Sequence, residues 1–192
     1  LDILSKTRDP LSAAQISKTL GVKRTASYAM LNTLVEHAYL EKDPVTDNYR
    51  IGSRLFELGQ RYRYRFPFAH AAEQEALRLA TIWRLTVRVG IYKGDGEALL
   101  LFVQLPAETP IITLGNPINI KAHACSLGKV LLAYLPNEEL EQVLTNTELE
   151  SFTSHTITDP DILRAQLSEV KRAGYAIDHE EYLRGISCIA AP

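Results

Sequence analysis

Cysteine is nearly absent. Two residues in 192, Cys125 and Cys188, cannot build a disulfide framework of the kind that holds small secreted domains together. Long apolar runs are also missing. The longest stretch, residues 98–105, is strand-sized, whereas a membrane helix needs about 18 or more consecutive apolar residues. No basic-then-apolar leader opens the chain. There is no phosphate loop, no dinucleotide fingerprint, no HExxH and no CxxC. Internal repeats and low-complexity tracts are absent too. These absences lead to the expectation of a soluble cytoplasmic protein that binds no metal, cofactor or membrane.

A composition with 46% hydrophobic and 23% charged residues is that of a folded protein, and 192 residues suggest one or two domains. The net charge of −2 argues against a nucleic-acid binder until its distribution is seen. Residues 1–66 carry eleven Lys/Arg against seven Asp/Glu, a net of +4. Residues 67–192 carry ten against sixteen, a net of −6. A basic front and an acidic back suggest a half that faces nucleic acid.

Hydrophobic periodicity sketches the front half. A short first helix is expected over residues 1–7. Residues 11–20 read as a helix capped by Ser12, with Gln15 completing a capping box, Ala13, Ile16 and Leu20 on the buried face, and Gly21 as the stop. A second helix is expected from about Lys23 to His37, burying Ala26, Met30 and Leu34 with Leu31 and Val35 beside them. Arg24, Ser27, Tyr28 and Asn32 lie on its other face. Residues 39–42 and 49–51 alternate as strands around the turn residues Pro44 to Asn48. Two helices, a tight turn and a hairpin make a winged helix-turn-helix over residues 1–52. A connecting helix over 53–66, with Leu55, Leu58 and Tyr62 on one face and four arginines interleaved, ends at Pro67.

Residues 67–192 alternate helices and strands. A helix over 69–83 precedes a hairpin whose strands, 85–92 and 97–105, meet at Gly94-Asp95-Gly96. A short strand over 111–114 and helices over 126–135 and 137–144 follow, with Ser126 and Asn137 as N-caps. A helix capped by Asp159 with Pro160 at its first position runs to Gly174. Strands are expected at 175–178 and 187–191. The fold class is α+β with a mainly antiparallel sheet.

Two constellations carry chemistry. Lys23, Arg24, Thr25, Ser27 and Tyr28 load the start of the second helix with donors suited to the major groove and its phosphates. Lys42, Arg50 and Arg54 add charge on the wing and its flank. The bland alternative is a solvated helical domain that binds protein. The second constellation is the run from His123 to Lys129, where a loop enters a helix and backbone N–H groups of residues 126–129 are free for an anion. An ordinary capped helix start would look the same. Asp178, on a short strand in an apolar context, needs a partner. Cys188, between Ile186 and Ile189, reads as a small buried hydrophobe. His123 and Cys125, two apart, also invite a thiol–histidine dyad, so an enzyme or sensor with a reactive cysteine and no DNA binding stands as the competing class.

The motifs, taken in order, resemble the IclR-type bacterial transcriptional regulators over nearly the whole chain. They are Leu11-Ser12 through Ile16 to Leu20-Gly21, Glu36-x-x-Tyr39-Leu40 to Tyr49-Arg50-Ile51-Gly52, and Leu55-x-x-Leu58-Gly59. They continue with His123 to Lys129, Thr156 to Pro160, Gly174-Tyr175-x-x-Asp178-x-Glu180-Glu181, and Gly185-x-x-Cys188 to Pro192. The resemblance implies a winged helix joined by a linker helix to a GAF-like effector-binding domain. It also implies a homodimer or tetramer that binds double-stranded promoter DNA under a small organic or aromatic acid. By position it places Ser126, Leu127, Gly128, Asp178 and Cys188 in the effector pocket. Three departures stand out. Ala26 and Ala29 replace polar residues in the recognition helix, Ala38 replaces a glycine before the wing, and the chain stops before strands that family members carry.

Overall fold

The computed structural model describes residues 1–106 and 119–192. The strand expected over 111–114 lies outside them. The chain forms two compact units, Leu1–Pro67 and Phe68–Pro192.

In the first unit, helices α1 (Asp2–Ser5), α2 (Ala13–Leu20) and α3 (Arg24–Glu36) precede a hairpin of β1 (Leu40–Lys42) and β2 (Tyr49–Ile51), and α4 (Ser53–Tyr64) follows. The start of α2 is set by local chemistry. The Ser12 side chain accepts from the Gln15 N–H, and the Gln15 carboxamide oxygen accepts from the Ser12 N–H at 2.8 Å. The helix ends at Gly21 in the left-handed conformation, φ 67°. The antiparallel hairpin pairs Leu40 with Ile51, Glu41 with Arg50 and Lys42 with Tyr49. In its turn, the Asp43 carboxylate accepts from the Val45 and Thr46 N–H groups. Leu4, Ala13, Ile16, Leu31, Leu40 and Tyr49 form the core.

The buried stripe of α3 differs from the expected one. Ser27 and Leu31 are buried with Leu34 and Val35 partly covered, whereas Met30 is 42% exposed and Ala26 is exposed. The helix is thus turned by about one residue step relative to the Ala26-Met30-Leu34 stripe. Leu20 of α2 is likewise exposed, its place in the core taken by Ser17, whose hydroxyl donates to the Ala13 carbonyl. Met30 and Leu20 line the rim of an apolar cavity of about 160 Å³ together with Ile3, Ile16, Leu31 and Leu34.

The second unit opens with α5 (Ala69–Trp83). Strands β3 (Val87–Gly94), β4 (Glu97–Gln104) and β5 (Asn119–Lys121) form an antiparallel sheet in that order. A 3-10 turn (Ala122–Ala124) leads into α6 (Ser126–Ala133). Helices α7 (Asn137–Asn146) and α8 (Pro160–Ala173) come next, then the antiparallel pair β6 (Ala176–His179) and β7 (Ser187–Ala190). Asn137 is the first residue of α7 rather than its cap, which is Pro136. At α8 the Asp159 carboxylate accepts from the Asp161 and Ile162 N–H groups, Pro160 follows it, and Gly174 closes the helix at φ 79°. The core gathers around α6 and α8, with Ala122, Val130, Leu132, Leu163, Leu167 and Ala176 among its buried members. Helix α6 touches α8, β3, β4, β6 and β7, so its first turn is held from several sides.

Candidate effector pocket and DNA-facing surface

Helix α6 has an unusual cap. Its N-cap is Cys125, not Ser126, and the Cys125 sulfur accepts from the Gly128 N–H at 3.3 Å. The Lys129 N–H reaches the Cys125 carbonyl at 2.9 Å. Gly128 therefore has no N–H to offer a ligand, a correction to its expected role. Its function here is steric, because a Cβ at this position would lie 2.2 Å from the Cα and carbonyl oxygen of Ala122. Among the described residues, the N–H groups of Ser126 and Leu127 keep no protein partner. Two such donors at the positive end of a helix make a ready place for a carboxylate.

Asp178 lies in the β6–β7 ladder directly opposite Cys188. Ala176 and Asp178 are buried while His179 is exposed, so the carboxylate points inward. One oxygen accepts from the Glu181 N–H at 2.7 Å. Burial pushes the Asp178 carboxyl above the usual carboxylate range and the charge of Glu181 adds to this; the Glu181 N–H, Lys129 and His179 oppose it. A carboxyl raised in the folded state makes the protein most stable below its unfolded pKa, and that contribution is lost as pH rises through the window above it. Asp178→Asn keeps the acceptor oxygen and removes the charge. It is expected to raise the melting temperature at pH 7.5 and to leave it unchanged near pH 3, as thermal melts at the two pH values would read. An equal shift at both would refute the assignment.

Beneath these residues sits a buried ion pair. Lys129 is fully buried, and its ammonium bonds a Glu181 carboxylate oxygen. Glu181 is held three ways. Its N–H goes to Asp178, its carbonyl accepts from the Thr156 hydroxyl at 2.6 Å, and its carboxylate meets Lys129. Sequence reasoning missed this pair, whose partners are 52 residues apart. The signal for it was a lone lysine inside the apolar run of α6, since a buried ammonium requires a partner.

The thiol–histidine dyad does not form. The His123 Nε2–H donates to the Glu150 carbonyl at 2.9 Å, and its ring lies 6.1 Å from that of Phe152. Burial holds the imidazole below its ordinary pKa, hence neutral. The Cys125 thiol is pushed up to about 12 by burial, and burial raises the Cys188 thiol too. Neither environment favours a thiolate nucleophile. No group of three or more His, Cys, Asp or Glu able to hold a metal occurs among the described residues.

On α3, the Arg24 guanidinium lies 5.6 Å over the Tyr28 ring and donates to its hydroxyl at 3.3 Å. Lys23 and Thr25 are exposed beside them. Ser27 is fully buried, so it belongs to the packing seam and not to the expected contact surface. A small side chain is what close approach to a neighbouring element requires there. The wing cations are paired. Lys42 bonds Asp47 at 2.7 Å, Arg50 bonds Glu41 at 2.9 Å, and Arg54 bonds Glu57 at 2.7 Å. Such exposed pairs are worth about 0–1 kcal/mol, so exchanging a carboxylate for a phosphate costs little.

Residues 61–192 match the family model for the bacterial transcriptional regulator IclR C-terminal domain, and residues 1–44 match the IclR helix-turn-helix domain. The chain belongs to the IclR family. It is a DNA-binding transcription regulator with a C-terminal effector-binding domain. It is 28% identical over 193 residues to the regulator XynR of Escherichia coli, covering all of this chain and 76% of that protein. It is 32% identical over 195 residues to BhcR of Paracoccus denitrificans, covering all of this chain and 69% of that protein. Among solved structures, an IclR homologue from Microbacterium hydrocarbonoxydans in complex with 4-hydroxybenzoate superposes with a TM-score of 0.79. It is 25% identical, with 96% of this chain and 76% of that one covered. No described helix of this IclR-family chain is long and apolar enough to cross a membrane.

Proposed function

We propose that this IclR-family protein binds double-stranded promoter DNA through α3 and the wing, and that a small organic or aromatic carboxylic acid bound in the second unit controls it. The observation that carries the reading is the pair of unpartnered N–H groups at Ser126 and Leu127, next to inward-pointing Asp178 and Cys188 in the same unit. The acid's carboxylate would lie on the α6 N-terminus and Asp178 would accept a ligand hydroxyl. The 4-hydroxybenzoate bound by a relative has both groups. On the DNA side, Lys23, Arg24, Thr25 and Tyr28 form the contact set on α3, with Lys42 and Arg50 from the wing. The protein acts in the cytoplasm as a homodimer or tetramer. Exposed Leu77, Ile82, Trp83 and Leu85, with Trp83 67% open, support self-association, because contact with a second copy would remove these large apolar side chains from water.

Gel-shift titration of the protein on its own promoter region at two salt concentrations tests the DNA reading. Affinity is expected to fall steeply with salt as phosphate contacts are screened. Arg24→Ala should weaken specific binding by about 1–3 kcal/mol if the guanidinium reads a base. Retention that is absent or indifferent to salt would sink the proposal. The buried Cys125 and half-buried Cys188, both with raised thiol pKa, argue against the competing class of thiol enzyme or sensor.

A further inference from the structure

Among the described residues, Arg88 is an arginine without a partner. It lies in β3, half-buried, and makes no hydrogen bond or ion pair with any of them. A partly desolvated guanidinium carries five donors that demand acceptors, and its planar fork matches a carboxylate. Such a group normally finds a protein acceptor or an anion.

The register shows which way it faces. In β3, Val89 pairs with Phe102 and Gly90 with Leu100, so the extra residue of the bulge, Leu101, belongs to β4. The alternation of β3 itself is unbroken, and Arg88, Gly90 and Tyr92 share one face of the strand. That face is the α6 face, because a Cβ on Gly90 would lie 2.9 Å from Cδ2 of Leu127 and Tyr92 packs against the core around α6. Arg88 therefore projects from the sheet on the side where the first turn of α6 begins. Its charge is felt at two groups near that turn. It favours the ionised forms of Cys188 and Tyr182 against the burial that raises both. Cys188 is the cross-strand neighbour of Asp178.

We infer that Arg88 is an effector-binding residue that pairs with the carboxylate of the acid alongside the Ser126 and Leu127 N–H groups, leaving Asp178 to a hydroxyl on the same molecule. The inference rests on the carboxylic-acid reading above and narrows it to acids carrying a hydroxyl group. A cationic fork with two N–H donors on one side and a carboxylate acceptor on the other suit such a hydroxy acid, whereas a simple fatty acid would leave Asp178 unanswered.

Calorimetric titration of the full chain with glycolate, lactate and 4-hydroxybenzoate, each beside its neutral amide, tests it. The series compares the unaltered protein with Arg88→Gln, Arg88→Lys and Asp178→Ala. Arg88→Gln is expected to weaken whichever acid binds at least tenfold and to leave the affinity for its amide and the melting temperature unchanged. Arg88→Lys should restore part of the loss, since it keeps the charge without the fork. If Arg88→Gln binds the acid within twofold of the unaltered protein while Asp178→Ala loses it, the Arg88 assignment falls and the effector reading stands. If none of the three acids binds the unaltered protein, both fall together.

Discussion

Lys129→Met is expected to destabilise the second unit by about 3–5 kcal/mol, because removing one partner of a buried ion pair leaves the other charge uncompensated. Lys129 is wholly buried, and Glu181 is 4% exposed with its second carboxylate oxygen already unpartnered. The loss should spread. Glu181 also presents its N–H to Asp178 and its carbonyl to Thr156, so a displaced Glu181 takes both contacts with it. The double variant Lys129→Met/Glu181→Leu should recover much of the stability, since well-packed apolar residues can replace a buried pair at little net cost. Urea denaturation of the two variants reads both effects. A single variant within about 1 kcal/mol of the parent would show that the pair is not the constraint described.

Gly128→Ala is expected to cost about 3 kcal/mol, at the upper end of ordinary overpacking, because the added methyl meets backbone. The obstructing atoms, the Cα and carbonyl of Ala122, belong to the 3-10 turn that sets the start of α6. They cannot swing aside as a side-chain tip would. Gly59 provides the contrast. It lies inside α4, and a methyl added there would meet nothing within 4 Å. Gly59→Ala should therefore stabilise by up to about 1 kcal/mol through helix propensity. Thermal melts of the two variants, opposite in sign, separate a packing glycine from a merely permissive one. Equal effects would remove the steric account of Gly128.

The two glycines illustrate how unevenly the molecule could be read in advance. The capping box at Ser12 and Gln15, the Asp159-Pro160 start and Gly174 end of α8, and the Gly94-Asp95-Gly96 hairpin are all local. Each is set by atoms a few residues apart, so the residue order alone specifies it. The misjudged face of α3 has another cause. Ala26, Met30 and Leu34 form a plausible apolar stripe, but Ser27 and Leu31 are the ones that fit against the neighbouring core, and a small polar residue is invisible to a hydrophobicity count. The cap of α6 failed similarly. Serine is the commoner N-cap, yet the chain is still extended at Cys125, and its sulfur takes the Gly128 N–H.

The order of residues by itself determined the α+β alternation, the winged helix-turn-helix, the caps and the family motifs, because those depend on spacing and on short-range hydrogen bonds. The tertiary structure alone decided that Lys129 meets Glu181, that His123 turns to the Glu150 carbonyl instead of Cys125, that Ser27 is buried, and that Arg88 shares a face with Gly90 beneath Leu127. The His123 bond spans 27 residues and the Lys129 bond spans 52. Such contacts are decided by the desolvation cost that forces buried polar groups to find partners and by packing, neither of which a local pattern encodes until the chain has folded.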